Sequence, residues 1–187
     1  TAMLEDDTSA VRQAAARAIG EIGSPHGLMA LGRVMRDDEE YSVKKAAVDA
    51  IAAIGDDQAF GTLKEVSEYA PKKARILAIQ GLLDLPHEAV KEVLLDRLQS
   101  QDSTVRLWAV YGLGKLKAPE AVGSLVRMKN EDDYEIARAS IRALGQIGNA
   151  QAIKSLLSTL ATEDPGLRVL SLDVLKCVDS SAVLDQF

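Results

Sequence analysis

The chain has 187 residues, 47% hydrophobic and 27% charged, a globular composition that excludes a disordered or membrane-embedded chain. A net charge of −6 argues against a general nucleic-acid binder, whose affinity comes largely from neutralising phosphates. The single cysteine, Cys177, excludes an internal disulfide and a multi-cysteine zinc site, and we expect a reducing, cytoplasmic setting. No stretch is apolar over the roughly 18 residues of a membrane span. Few prolines and abundant Ala, Leu, Glu and Lys predict an all-helical chain.

The predicted elements, taken in chain order, are copies of one unit. The segment from Val11 to Gly23 returns 32 residues later, from Val43 to Gly55. It returns again at intervals of 31 residues, starting at Ala74, Val105, Ile136 and Leu167. Six copies therefore cover nearly the whole chain, and the repeats start near residues 8, 40, 71, 102, 133 and 164.

Each copy predicts a helix, a turn and a second helix. The first helix follows a residue suited to a helix start, namely Thr8, Glu40, Pro71, Asp102, Asp133 or Asp164. In copy one the apolar residues of this helix form one stripe, which comprises Val11, Ala15, Ala18, Ile19 and Ile22. Gly23 ends the helix, and Leu28, Leu31 and Met35 mark the second one.

A helix pair this short cannot bury its own apolar face, so the pairs must stack on one another. The sequences Asp102–Arg106, Gly112–Gly114 and Ala143–Asn149 closely resemble the short HEAT-like repeats of bacteria and archaea that are named after phycobilisome lyase subunits. The resemblance covers residues 8–179. It implies an all-α fold, a right-handed α-α superhelix (HEAT-type solenoid) of about six two-helix repeats, and we expect residues 1–187 to form a single array.

Both ends of the sequence align with the interior of a repeat. Ala2–Leu4 matches the close of a second helix, and Ser181–Leu184 matches the start of another. We therefore expect a chain cut from a longer array, or an array capped by short helices. Uncapped repeat ends expose apolar surface, so self-association is also expected.

The first helices of the repeats are expected to line the concave surface, because their many Ala and Gly residues let neighbouring helices approach closely. The six first-helix segments carry 14 Lys plus Arg and 10 Asp plus Glu, whereas the rest of the chain carries 8 and 18. The predicted concave surface is therefore mildly basic on an acidic body. One interpretation is structural, a ladder of ion pairs with the capping acids of neighbouring repeats, formed by Arg12, Lys44, Arg75, Arg106 and Arg168.

An apolar and aromatic island is predicted in the middle of the concave surface. Side chains that point away from the core stripes form a grid there. The candidate partner-binding residues are Lys73, Ile76, Leu77, Leu107, Trp108, Tyr111, Lys115, Arg138 and Arg142. Trp and Tyr are frequent binding hot spots, and exposed apolar patches usually mark interfaces. The alternative is that Ile76, Leu77 and Leu107 only seal gaps between adjacent first helices.

The sequence offers no candidate catalytic, cofactor-binding or metal-binding residue, since the patterns of common nucleotide sites, metalloproteases and serine hydrolases are absent. His26 and His87 are predicted in turns, and Cys177 as a buried residue. The leading hypothesis is a protein-binding scaffold or adaptor with an unknown protein partner, no cofactor and no membrane contact.

Two other functional classes stay open. The resemblance to phycobilisome lyase repeats implies a bilin lyase subunit or a lyase partner, which needs a second subunit or a bilin-sized pocket. The other class resembles the HEAT-like DNA glycosylases, with phosphate contacts from Lys45, Lys72, Lys73, Lys115, Arg138 and Arg142 and stacking by Trp108 and Tyr111. The acidic body of the protein argues against nucleic acid.

Overall fold

The computed structural model describes residues 2–86, 88–130 and 133–178, and within these it contains helices but no strand. The α-helices are α1 (Ser9–Ile22), α2 (Pro25–Asp37), α3 (Tyr41–Ile54), α4 (Asp57–Tyr69), α5 (Lys72–Leu82), α6 (Val90–Arg97), α7 (Ser103–Lys115), α8 (Val122–Met128), α9 (Tyr134–Ile147), α10 (Ala150–Thr159) and α11 (Pro165–Cys177). Short 3-10 helices at Ala2–Glu5 and Pro119–Ala121 precede α1 and α8.

All six predicted repeat starts coincide with the residue that precedes a first helix, namely Thr8, Glu40, Pro71, Asp102, Asp133 and Asp164. The odd-numbered helices α1 to α11 are therefore the first helices of the repeats, and the even-numbered helices are the second ones. The predicted all-α fold of two-helix repeats is confirmed. The second helix of copy six, expected from residue 181, lies outside the described residues.

The chain divides into two compact units, residues 1–90 and 91–187. In the first unit α1 packs against α3 and α3 against α5, while α2 packs against α4. The second helices also pack on the following first helices, α2 on α3 and α4 on α5. The largest fully buried side chains of this unit include Leu31, Met35, Ile51, Leu63 and Ile79. The grouping of both units into one continuous array stays a prediction.

The second unit repeats this two-layer arrangement. Here α7 packs against α9 and α9 against α11, while α8 packs against α10. Its fully buried side chains include Leu113, Leu125, Ile136, Ile141 and Leu156. In both units the core lies between a layer of first helices and a layer of second helices, as the apolar patterns predict.

Glycine allows close approach of first helices at the same repeat position in both units. A Cβ atom on Gly20 of α1 would lie 2.7 Å from the Cα of Ala50 on α3. A Cβ on Gly114 of α7 would lie 2.9 Å from the Cα of Ala143 on α9. Such distances are shorter than any ordinary carbon contact, so these two helix pairs require a residue without a side chain.

The predicted apolar stripe of α1 is wrong at its C-terminal end. Ile22 is 74% exposed and Ala18 is also exposed, whereas Ala16 and Gly20 are buried. Within its unit α1 packs against the first helix α3 and the 3-10 helix Ala2–Glu5, and these neighbours leave Ala18 and Ile22 open to solvent. The stripe follows the helical period correctly, but the period alone does not say which part of the stripe other elements of the fold cover.

The expected ladder of basic residues is present with different acceptors. Arg12 pairs with Asp38 at 2.7 Å, as an ion-pair ladder requires. Lys44 and Arg168 instead donate to main-chain carbonyls, so the predicted acceptors are wrong for these two. Arg168 donates to the carbonyls of Thr162 and Glu163, which lie six and five residues before it.

The same contact recurs at the start of three repeats. Arg12 donates to the carbonyls of Asp6 and Asp7, and Arg106 to those of Ser100 and Gln101, again six and five residues upstream. These carbonyls lie in the connections between repeats, where no helix ladder satisfies them. We call this contact the carbonyl clamp; it joins each of these first helices to the connection that leads into it.

Two lysines are buried, one in each unit. Lys44 donates to the carbonyls of Met35 and Arg36 at the end of α2, at 3.2 and 2.8 Å. Lys129 is 6% exposed and donates to the Ser155 carbonyl and to the hydroxyls of Ser158 and Thr159 on α10. Burial lowers the pKa of both ammonium groups, and for Lys44 the nearby charges of Asp38 and Asp37 oppose the shift.

Candidate functional site

The nine predicted partner-binding residues are divided between the two units. Lys73, Ile76 and Leu77 lie on α5 in the first unit, where Lys73 is exposed and Ile76 is half-buried. Leu77 is 1% exposed, so its predicted place on an accessible surface is wrong. The reason is that Ala74, Leu77 and Ala78 are helical neighbours and all are buried, so the buried arc of α5 is wider than the predicted stripe.

Four of the other six predicted residues line one groove in the second unit, between α7 and α9. Leu107, Trp108 and Tyr111 project from one face of α7 at i, i+1 and i+4. From α9 the groove is lined by Glu135, Ala139, Arg142, Ala143 and Gln146. Its volume is about 540 Å³, and two of its lining residues, Ala143 and Gln146, are also the α9 residues that lie against Gly114 of α7. We call this cleft the α7/α9 groove.

An aromatic pair forms the α7 wall of this groove. The rings of Trp108 and Tyr111 meet edge to face, with centroids 5.7 Å apart and planes at 80°. Tyr111 is 51% exposed, and Trp108 is half-buried. This T-shaped contact is a favoured geometry for aromatic rings, so each ring restricts the other before any ligand arrives. Two large, pre-ordered apolar side chains are thus open to a partner.

The charged residues in and beside the groove differ in the contacts they make. Arg138 lies 3.6 Å from the Glu135 carboxylate and 5.7 Å from the ring centre of Tyr134. Arg142 is exposed and makes no ion pair with any residue that the structure describes. Lys115, at the end of α7, is also exposed but does not line the groove. Arg142 is therefore the cation of this group that is most available to a ligand.

A second groove lies on the other side of α9, against α11. It has a volume of about 640 Å³, and its lining residues include Lys117, Arg142, Gln146, Val174 and Cys177. Cys177 is exposed, which corrects the expectation of a buried cysteine. We call this cleft the α9/α11 groove.

Sequence reasoning missed Lys117, although a signal for it was present. It occupies the repeat position at which Gly23, Gly55 and Gly148 end their helices, and like them it adopts a positive φ, 48°. A lysine at a glycine position is a departure from the repeat pattern, and such departures point to sites where local chemistry differs.

Potential metal ligands do not converge in the described part of the chain. No group of three or more His, Cys, Asp or Glu side chains there is placed to hold a metal ion. His26 lies in the first turn of α2 and not in a connection, and His87 lies outside the described residues. Among the described helices, none is long and apolar enough to cross a membrane.

Models of known protein families match most of the chain. The model for HEAT repeats matches residues 1–71 and 62–140, and that for the PBS lyase HEAT-like repeat matches residues 136–162. The chain belongs to the HEAT-repeat family. Membership agrees with the layered helix pairs and with the period of 31 to 32 residues, and it leaves the partner open because this scaffold serves many functions.

Individual proteins similar to the chain include one from bilin metabolism. The Bilin biosynthesis protein PecE of Mastigocladus laminosus is 26% identical over 149 residues, which are 79% of this chain and 55% of that protein. The chain thus spans about half the length of such curated relatives.

Solved structures with the same fold include a complex of CpcE and CpcF of phycocyanin lyase from Nostoc sp., with a TM-score of 0.57 and 20% identity over 93% of this chain and 73% of that one. A designed armadillo repeat protein matches 95% of this chain and 97% of its own with a TM-score of 0.56 and 18% identity. These likenesses show the fold alone.

Proposed function

We propose that this protein is a protein-binding scaffold or adaptor that holds its partner in the α7/α9 groove. The observation that carries the proposal is the aromatic pair Trp108 and Tyr111, which is pre-ordered yet open to solvent beside Leu107. Exposed aromatic side chains are frequent anchors of a protein interface. A cytoplasmic setting, in which an exposed thiol such as Cys177 stays reduced, is part of the proposal.

The remaining predicted residues join this proposal as flanking groups. Lys115, Arg138 and Arg142 lie on α7 and α9 around the anchor, where charged groups guide the approach of a partner more than they determine affinity. Lys73 and Ile76 on α5 stay predicted partner-binding residues of the first unit by itself. Leu77 is removed from the candidate set because it is buried.

The test is a selection of peptide ligands followed by a comparison of two variants. Peptides would be selected from a random displayed library against the whole chain and then measured against Trp108→Ala. We expect a loss of about 2 kcal/mol in binding free energy, roughly 30-fold in Kd, as for an interface hot spot. Tyr41→Ala, at an exposed tyrosine on α3 in the other unit, serves as the control and should leave binding unchanged.

Thermal unfolding of the same variants separates an anchor from a core residue. Trp108 is half-buried, so its truncation should cost less than the roughly 3–5 kcal/mol of a fully buried aromatic. Unchanged affinity in the Trp108 variant, or a stability loss in the full core range, would contradict the proposal.

A second candidate function, a bilin lyase subunit, is favoured by the relatives. Proteins named for bilin biosynthesis match 79% of this chain, and a phycocyanin lyase complex shares its fold. The test is the visible absorption of phycocyanobilin titrated with the chain. A saturable spectral change that Trp108→Ala removes would support it, and an unchanged spectrum would count against bilin binding by this chain alone.

A further inference from the structure

The two grooves of the second unit form one continuous surface. Arg142 and Gln146 project from α9 and line both the α7/α9 groove and the α9/α11 groove. A ligand can therefore cross α9 without leaving a lined cleft, passing from the aromatic wall on α7 to Val174 on α11. A path that crosses successive helices in this way suits an extended chain segment better than a compact ligand.

The acidic side chains along this surface form ion pairs, whereas two of its basic side chains form none with a described residue. The two carboxylates that line it are occupied, since Glu135 lies 3.6 Å from Arg138 and Asp173 lies 2.9 Å from Lys176. The cations Arg142 and Lys117 are exposed, and neither makes an ion pair with a residue in the described ranges. The surface thus offers positive charge in a chain whose net charge is −6.

The chemistry of these two cations favours carboxylates. A guanidinium group presents a rigid fork of donors that matches a carboxylate in two parallel hydrogen bonds, and an ammonium group acts as a compact point charge beside it. A nucleic-acid strand would need a row of such cations for its phosphates, and the surface offers two. The partner that fits is therefore acidic and partly apolar.

We propose that the surface from α7 to α11 binds an extended acidic segment of a partner protein. An apolar side chain of that segment enters the α7/α9 groove against Trp108 and Leu107, and its carboxylates pair with Arg142 and Lys117. This inference rests on the proposed function and adds the chemistry of the partner to it.

Trp108 provides a direct readout, because it is the only tryptophan in the chain and lines the groove. The probe is a short tryptophan-free peptide with acidic residues around a central Leu-Phe pair. Its binding should shift the emission of Trp108 to shorter wavelength as water leaves the ring. Two comparison peptides carry the same Leu-Phe pair among basic residues, or the same acidic residues around Gly-Ser, and a single-stranded oligothymidine represents nucleic acid.

The variants Arg142→Gln and Lys117→Gln test the charge contacts. Each should weaken the acidic peptide about three- to fivefold, the range for an exposed ion pair, and leave the basic peptide unaffected. Lys154→Gln, an exposed lysine on α10 away from both grooves, is the matched control and should bind as the unmodified chain does. In Arg142→Glu the preference should reverse, so that the basic peptide binds better than the acidic one.

The possible results distinguish the acidic partner from the groove as a protein-binding site. Equal binding of the acidic and basic Leu-Phe peptides, unaffected by Arg142→Gln, would overturn the acidic partner and leave the groove as a protein-binding site. Tighter binding of oligothymidine, weakening steeply with salt, would overturn it in favour of nucleic acid. If no peptide with a Leu-Phe pair shifts the Trp108 emission, the inference fails, whereas the proposed function fails only if the library selection also yields no ligand that Trp108→Ala weakens.

Discussion

The two units build the same repeat with different helix starts. In the second unit each first helix begins at an aspartate whose carboxylate accepts a main-chain N–H of its own first turn, as Asp102, Asp133 and Asp164 do. In the first unit the corresponding residues are Thr8, Glu40 and Pro71, and none caps its helix through a side chain. Both units share the backbone repeat, but different side chains stabilise the helix starts in each unit.

The first unit stabilises one of its repeat junctions through an ion pair. Arg12 donates to both carboxylate oxygens of Asp38, which in turn accepts the main-chain N–H of Glu40. Burial alone would raise the pKa of Asp38, but these hydrogen bonds and the charge of Arg12 hold it below its usual value. A repeat fold thus tolerates the loss of its caps where another contact secures the same junction.

The largest expected effect tests the close approach of neighbouring first helices, which both units share. Gly20→Ala and Gly114→Ala place a Cβ 2.7 and 2.9 Å from a backbone Cα of the next first helix, so the helices must separate. We expect each to lower the free energy of unfolding by about 1–3 kcal/mol, measured by urea denaturation. The control is Gly61→Ala on the exposed side of α4, where a Cβ meets nothing within 4 Å. It should stabilise by roughly 0.5–1 kcal/mol.

Helix caps give the sharpest difference between the units. Asp133→Ala removes an acceptor of the Glu135 and Ile136 N–H groups and should cost about 1 kcal/mol of stability. Thr8→Ala removes no cap hydrogen bond, so we expect its thermal midpoint to stay near that of the unmodified chain. Equal losses in the two variants would contradict the distinction drawn between the units.

The sequence predicted the repeats closely because its signals there are local. All six starts and the glycine ends at Gly23 and Gly55 follow from the backbone preferences of single residues. The burial of Leu77 and the exposure of Ile22 did not follow, since they depend on which neighbouring helices cover each face. The α7/α9 groove was predicted in its α7 wall and in Arg142 of α9, but the α9/α11 groove required the three-dimensional packing of α9 and α11.

A smaller effect concerns Lys117, the residue with a positive φ two positions after the end of α7. Lys117→Gly relieves a positive φ that a side chain disfavours, and we expect the unfolding free energy to rise by about 0.5–1 kcal/mol. The reverse change, Gly148→Lys at the equivalent position after α9, should lower stability by a similar amount. Differential scanning calorimetry of both variants tests whether the two helix ends are interchangeable.

The smallest expected effect is in the pH dependence of stability. The folded pKa of Lys129 is lowered by burial, so between that value and 10.5 the unfolded chain binds more protons than the folded one. The contribution of Lys129 to the unfolding free energy therefore rises with pH across this window. Below the window the full cost of burying its charged ammonium group is present. Lys129→Met should remove that rise in urea denaturation.

The matching change in the first unit, Lys44→Met, should alter the pH dependence less, because Asp38 and Asp37 partly offset the burial of that lysine. If Lys44→Met altered the pH dependence of stability more than Lys129→Met, the pKa of Lys44 would be the more strongly lowered of the two, and this prediction would be wrong.

The carbonyl clamp bears on how an array of this kind can grow. Arg12, Arg106 and Arg168 each donate to main-chain oxygens five and six residues earlier, and every amino acid supplies such an oxygen. A gene segment that encodes one clamp together with its connection carries both partners of the contact. Its duplication or transfer to another array would therefore require no compensating change in the recipient, so the junction itself favours expansion by recombination.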